Sequence, residues 1–369
     1  MSSWILLFLP LLLAVQYMLL WILAKKNWKD HSKESQGLLP SVSILIAVRN
    51  EEKDLPRLLD SLDRLDYPTE KLQILIADDQ SEDTTPELLS TWAGHSQNRK
   101  IITVLPSQTG FFHPNGKANA LAILAKEAQG EFFFFTDADC EVPSTWIKEG
   151  ISCFDQGVGL VIGITQVRSQ NLFGVMQELD WWNTLGIVKV VTDLGFSTTG
   201  LGNNMVIRKE AYIKSGGFES LPFSLTEDLE ISRVVIRSGF RQVHQVSPRM
   251  LITTKAEATW RDLLLQRKRW MHGVMSLSVG WKFLLGFQFL FYPLIGVLLI
   301  LMPSFGLGLW VVKVIYQSLF LHKIASYTNQ KLRVPALVIF DFYQILALSL
   351  TILYYFWPVQ IQWKARKYP

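Results

Sequence analysis

Cysteine is almost missing from this chain: Cys140 and Cys153 are the two in 369 residues. That excludes a disulfide scaffold and a zinc ribbon, and it fits a reducing compartment. Charge is also scarce, at 18% of residues against 49% hydrophobic. No Lys/Arg stripe runs through the middle of the chain. The net charge of +4 is therefore not a nucleic-acid footprint and reads as basic residues beside a membrane. No internal repeat and no low-complexity tract is present. What the chain has in abundance is apolar and aromatic side chains, 13 Trp and 22 Phe among them. They are unevenly spread. Roughly the first 24 residues and the last 90 are strongly apolar, while the middle reads as an α/β protein.

Residues 4–24 form an apolar run long enough to cross a bilayer. A cleaved signal peptide is the competing reading. Against it, no basic residue precedes the run, the apolar stretch is long, and Lys25 and Lys26 follow it. Positive charge just after the span places the next domain on the cytoplasmic side. The expected organisation is a membrane anchor at 1–24, a polar linker at 25–40, and an α/β catalytic domain at 41–257. An amphipathic interfacial helix at 258–282, two to three membrane segments at 283–363 and a basic tail at 364–369 complete it. The loop 322–333 and the tail are both basic. Three spans after the domain would put them on opposite faces, so the positive-inside rule leaves the span count open.

In the middle region short apolar runs alternate with amphipathic ones. Strands are expected at 42–48, 72–77, 101–105, 132–136 and 158–165. Helices are expected at 55–62, 83–93, 117–128, 172–190, 226–238 and 258–279. Strands alternating with helices predict right-handed βαβ units and a mostly parallel, Rossmann-like sheet covered on both faces. Ligands bind such sheets beyond the carboxyl ends of the strands.

Acidic clusters stand at those ends. Asp137-Ala138-Asp139 follows four phenylalanines, and paired carboxylates suit Mg²⁺ or Mn²⁺ held together with substrate phosphates; a plain polar turn is the other reading. Asp78-Asp79-Gln80-Ser81 ends a second strand, and an Asx-turn leading into the next helix explains it equally well. Glu227-Asp228 opens a helix, either as a general base held at a helix end or as half of a capping box with Ser224. In Gln266-Arg267-Lys268-Arg269-Trp270, residues 266, 269 and 270 share one helix face. Arg269 can clamp a diphosphate, and Trp270 offers a flat face to a sugar. A basic helix lying on anionic lipid is the alternative.

In this order and spacing the four clusters resemble the family 2 glycosyltransferases, a group that includes ceramide glucosyltransferase and the cellulose, chitin and hyaluronan synthases. The likeness covers roughly residues 40–275. It implies an inverting GT-A fold. It also implies that Arg49, Glu51 and Asp79 hold the nucleoside, that Lys117 lies near the donor phosphates, and that Asp137 touches the donor. Asp139, with Asp137, would hold Mg²⁺ or Mn²⁺, and Asp228 would be the base for the acceptor hydroxyl. Gln266, Arg269 and Trp270 would close over the diphosphate and acceptor. Gly202, Asn203, Glu227 and Trp270 would line the acceptor site. The run 200–204 departs from that of the polymer synthases.

The expectation is thus transfer from a nucleotide sugar, with UDP as the nucleotide, to a lipid or membrane-bound acceptor. It would occur on the cytoplasmic face of a bacterial-type plasma membrane, with no nucleic acid involved. A processive polysaccharide synthase and a non-catalytic binding module are the alternatives. Product length separates the first two. Lack of transfer or hydrolysis with any nucleotide sugar would mark the third.

Overall fold

The computed structural model describes residues 3–33, 37–359, 361–363 and 366–368. Within the expected tail, residues 364, 365 and 369 lie outside the described set. The first helix, α1 (Ser3–Lys26), has no acid in its first turn and ends on Lys25 and Lys26, where cations suit the helix dipole.

The first half of the α/β domain follows the expected rhythm. β1 (Val42–Val48), α2 (Leu55–Asp63), β2 (Leu72–Asp78), α3 (Thr85–Ala93), β3 (Arg99–Thr103), α4 (Gly116–Glu127) and β4 (Phe132–Phe135) follow in turn. α2 buries Leu55, Leu58, Leu59 and Leu62. The strands lie in the order β3-β2-β1-β4, all parallel. Side chains alternate across a strand. Phe132 and Phe134 therefore join the core that includes α2, while Phe133 and Phe135 join the opposite core with α4. Burial on both faces is why β4 reads as four consecutive phenylalanines.

The second half departs from a simple repeat. It contains β5 (Cys140–Glu141), α5 (Trp146–Ser152), β6 (Val158–Ile162), β7 (Ile164–Arg168), α6 (Leu172–Asp193), β8 (Met205–Arg208), α7 (Lys209–Ser215), α8 (Glu227–Arg237), β9 (Arg241–His244) and β10 (Leu251–Lys255). The main sheet has seven strands in the order β3-β2-β1-β4-β8-β6-β9, and β8 runs antiparallel to both neighbours. A second sheet has the order β5-β10-β7.

The single strand expected at 158–165 is two. The chain breaks at Gly163 and passes from one sheet to the other. A Cβ at Gly163 would lie 2.3 Å from the Asn204 side chain. Asn204 is fully buried and ties the sheets together. It accepts from Trp146 Nε1 (3.0 Å) and donates to the carbonyls of Ile164 (2.8 Å) and Met250 (2.9 Å). Asn204→Ala strands those buried groups, at about 1–3 kcal/mol each. A melting temperature lower by several degrees is expected, and an unchanged value would deny the residue this role.

The segment after α1 is docked. Lys189 on α6 is fully buried and donates to the carbonyls of Lys29 (2.7 Å) and His244 (2.7 Å), and to Asp193 (2.9 Å). Trp28 stacks on Tyr327 with ring centroids 3.7 Å apart. The last helices are α9 (Trp260–Met275), α10 (Val279–Leu301), α11 (Pro303–Ser326) and α12 (Val334–Phe356). α1, α10, α11 and α12 are each long and apolar enough to cross a membrane. α12 ends short of residue 363. Ile361–Trp363 and Arg366–Tyr368 instead pair as a small antiparallel hairpin, β11 and β12.

Candidate active site

The register of the sheet builds the site. Val48 pairs with Asp78, so the loops that leave β1 and β2 are neighbours. Arg49 donates from Nη1 to the Asp79 carbonyl at 2.5 Å. Asn50 and Gln80 both adopt left-handed backbone, with φ of 51° and 61°. That conformation turns each loop sharply toward the other. The Asn50 amide donates to Ser81 Oγ (2.9 Å), and the Glu82 amide donates to Asn50 Oδ1 (2.8 Å). Arg49, Glu51 and Asp79 thus form one buried corner. The second acidic cluster folds back on itself, with Ser81 N donating to Asp78 Oδ1 at 3.1 Å, but it does not cap the next helix as expected, because the N-cap of α3 is Thr84.

Two helix starts converge beside Asp137. Asn115 caps α4, its Oδ1 accepting from the amides of Lys117 and Ala118. Its Nδ2 donates to the Ser224 carbonyl (2.8 Å), just before α8. His113 adds a second tie. Its Nδ1 accepts from Asn115 N (3.0 Å), which leaves Nε2 to donate to the Pro222 carbonyl (3.2 Å). Lys117 therefore stands between strand and helix, 2.6 Å from Asp137 Oδ1 and 3.0 Å from Glu227 Oε1. Burial opposes its charge, but Asp137, Glu227 and Asp228 outweigh burial and hold the ammonium protonated above its usual range.

This pairing corrects the capping box expected for Ser224 and Glu227. Glu227 spends its carboxylate on Lys117, and Ser224 Oγ accepts from Thr226 N (3.1 Å). The N-cap residue, Thr226, makes no side-chain cap bond. A charged ammonium is a stronger partner than a backbone amide.

Asp228 sits half-buried at the start of α8. Its Oδ2 accepts from Gly202 N (3.0 Å) and its Oδ1 from Leu229 N (2.8 Å). Burial, then the Glu227 carboxylate, push its pKa up to about 6, against the pull of Lys117 and the two amides. Gly200 and Gly202 allow this approach. A Cβ at Gly200 would lie 2.1 Å from the Asp228 carbonyl oxygen, and one at Gly202 would lie 3.3 Å from Lys117 Nζ. Asn203 faces elsewhere: its Oδ1 accepts from Thr165 (3.1 Å) and its carbonyl from Thr136 (3.0 Å).

α9 spans the site. Gln266 donates to Glu257 Oε1 at 2.7 Å. At the other end, Gly273 lets α9 close on Thr226, where a Cβ would be 2.6 Å from Thr226 Oγ1. Glu257, just after β10, was not foreseen, because β10 itself gave no recognisable pattern. Its carboxyl is raised by burial first. Lys255 and Arg269 lower it, while Asp139 and Asp262 raise it. Arg269, Asp139 and Glu257 thus share one electrostatic neighbourhood. Trp270 packs edge-on to Trp181 of α6 (5.7 Å), and the Arg267 guanidinium lies 4.7 Å from its ring centre. Lys268 does not point to lipid headgroups. It is buried and donates to the carbonyls of Trp357 (2.7 Å) and Val359 (2.9 Å).

Asp137 and Asp139 offer carboxylate oxygens, the donors that Mg²⁺ and Mn²⁺ prefer. Among the described residues no group of three or more His, Cys, Asp or Glu converges on a metal position. The residues fit an ion that takes one or two carboxylates here and completes its shell with substrate phosphates and water.

The sequence model of glycosyl transferase family 21 matches residues 6–369. The chain belongs to glycosyl transferase family 21. The likeness read from the four motifs is thereby shown. It is 31% identical over 214 residues to the β-monoglucosyldiacylglycerol synthase of Trichormus variabilis, a stretch covering 55% of this chain and 43% of that protein. It is 24% identical over 244 residues to the poly-β-1,6-N-acetyl-D-glucosamine synthase of Staphylococcus epidermidis, covering 65% and 56%. The matches span about half the length of these relatives. A mannosyltransferase from Pyrobaculum calidifontis, solved with GDP-Man and Mn²⁺, superposes with a TM-score of 0.58 at 16% identity, over 95% of this chain and 99% of that one. At that identity the likeness is one of fold, and the architecture is the mixed α/β, mostly parallel GT-A type.

Proposed function

We propose that this transferase moves a hexose from a nucleoside-diphosphate donor, a UDP-sugar first among candidates, to the hydroxyl of a membrane lipid with inversion at C1. The observation that carries the reading is Asp228. It is a half-buried carboxyl with its pKa pushed up to about 6, and two backbone amides fix its orientation beside the Lys117–Asp137 pair. A base with such a pKa is ionised at neutral pH yet keeps useful proton affinity.

In this reading the Arg49, Glu51 and Asp79 corner takes the nucleoside. Asp139, with Asp137, would hold Mg²⁺ or Mn²⁺, which supplies charge neutralisation of the diphosphate when bound. Lys117 and Arg269 add positive charge on the protein side, and Gln266 fixes Glu257 beside them. The acceptor oxygen attacks C1 as its proton passes to Asp228. The C1–O bond to the diphosphate breaks, and the nucleoside diphosphate leaves. Gly202, Glu227 and Trp270 border the acceptor position, and Asn203 supports that wall through Thr165. The catalytic domain is assigned to the cytoplasmic side by Lys25 and Lys26.

A lipid acceptor is favoured by the relative that makes a glucosyl diacylglycerol and by the apolar helices flanking the domain. The poly-N-acetylglucosamine relative favours a second reading, processive synthesis. Mass spectrometry of lipid extracts from cells with wild type or Asp228→Asn decides between them. One new hexosyl-lipid that needs Asp228 is the expected result. A polymer ladder would select the second reading.

A further inference from the structure

We propose that α12, although long and apolar enough to cross a bilayer, does not cross it. It lies along the membrane-facing side of the catalytic domain, with one apolar edge in lipid and both ends on the catalytic side. The inference rests on reading α1, α10 and α11 as spans.

Its path is fixed by contacts along α9. Tyr343 of α12 meets Trp260 at the start of α9, with ring centroids 5.8 Å apart. Tyr355 meets His272 near the end of α9 at 5.2 Å. Lys268, between those two residues of α9, donates to the carbonyls of Trp357 (2.7 Å) and Val359 (2.9 Å), just past the end of α12. Residues 260–272 of α9 thus run beside residues 343–355 of α12, in the same direction. α9 carries Arg261, Asp262, Arg267, Lys268 and Arg269, a charge load that no single span tolerates. Its Gln266 is bonded to Glu257 in the site. A helix lying along α9 therefore stays on the side of α9. The start of α12 is on that side too, since Ala336 and Leu337 in its first turn are buried against residues of α6.

The side chains of α12 divide accordingly. Ala336, Leu337, Phe340 and Tyr343 are buried in the core that contains α6. Val334, Val338, Phe342, Leu346, Leu353 and Trp357 are exposed and recur at steps of four or seven, a single stripe down one face. An apolar stripe beside three spans fits the acyl region of a bilayer. Asp341, on the inner side, is held by Lys313 of α11, which joins α12 to the neighbouring helices.

The charge pattern agrees. With α1, α10 and α11 crossing and α12 returning, Lys25 and Lys26, the basic 322–333 loop and the basic tail all share one side. A fourth crossing would put the tail opposite the loop, against the positive-inside rule.

Single-cysteine labelling of the full chain in sealed vesicles of both orientations tests this. The native Cys140 and Cys153 are buried, so a membrane-impermeant maleimide reports the introduced residue. Thr91→Cys marks the catalytic side. Gln362→Cys and Ser326→Cys are expected to react from the Thr91 side, and Met302→Cys from the opposite side only. Arg366→Cys repeats the tail measurement if Gln362→Cys does not fold. A tail residue that reacts only from the Met302 side overturns the proposal. If Met302→Cys instead reacts from the Thr91 side, it is the reading of α10 and α11 as spans that fails, a result distinct from the tail's.

Discussion

Asp228→Asn is expected to keep nucleotide-sugar binding and to lower transfer by about 10²–10⁴-fold, the range that general-base catalysis typically contributes. The amide has nearly the shape of the carboxylate and can still accept one of the two backbone hydrogen bonds, so the donor site is left in place. What it lacks is a lone pair basic enough to take the acceptor's proton. The same group sets the pH profile. With a folded pKa of about 6, wild-type transfer rises with pH through that value, and the limb disappears in the variant. Stability runs the other way. The folded pKa lies above the 3.8 usual for an aspartate carboxyl. The favourable contribution of the protonated group is therefore present below about 4 and lost as pH rises through about 6. At neutral pH the wild-type carboxylate is a stressed group, and the variant is expected to melt no lower than wild type. Normal turnover in Asp228→Asn, or an acid limb that survives the substitution, would falsify the base assignment.

Chelation is expected to abolish transfer, with Mg²⁺ or Mn²⁺ restoring it. A leaving diphosphate carries negative charge that must be balanced in the transition state. Lys117 is already shared between Asp137 and Glu227, which limits what it alone can add. Asp139→Asn removes a hard anionic donor from a set with few others. The loss of metal affinity in the presence of UDP is expected to be at least the roughly 10–100-fold typical of residues that only support ligands. Mn²⁺ titration by electron paramagnetic resonance reads this without turnover. Undiminished activity in excess chelator, with no metal bound, removes Asp139 from this role.

Much of the first half of the domain was legible because its signals are local. Four phenylalanines in a row demand a strand buried on both faces. Leu55, Leu58, Leu59 and Leu62 demand a helix lying on that sheet. Parallel strands joined by helices put Asp79 and Asp139 at the same end. The second half was harder for a physical reason. β5 has two residues and β9 four, too short to display a period. Their pairing is set by partners far away in sequence. The switch of sheets at Gly163 depends on Asn204, forty-one residues later, and no window around Gly163 contains that information.

The site divides in the same way. The acids were visible as clusters at strand ends, and Gln266 and Arg269 as neighbours on one helix face. The partners were not. Lys117 could be placed near phosphate only through family resemblance, and its contacts with Asp137 and Glu227 depend on Asn115 and His113 stitching two distant loops together. Glu257 follows a strand that the sequence did not announce.

By itself the sequence determined an α/β domain with carboxylates gathered at one edge and apolar helices on either side, because side-chain periodicity and hydropathy are properties of the local chain. The tertiary structure alone decided how the carboxylates share one ammonium, and which face of α9 meets the site. It also decided which way α12 runs. Those depend on pairings between distant segments, where one buried hydrogen bond or one missing Cβ selects among arrangements that local pattern leaves equal.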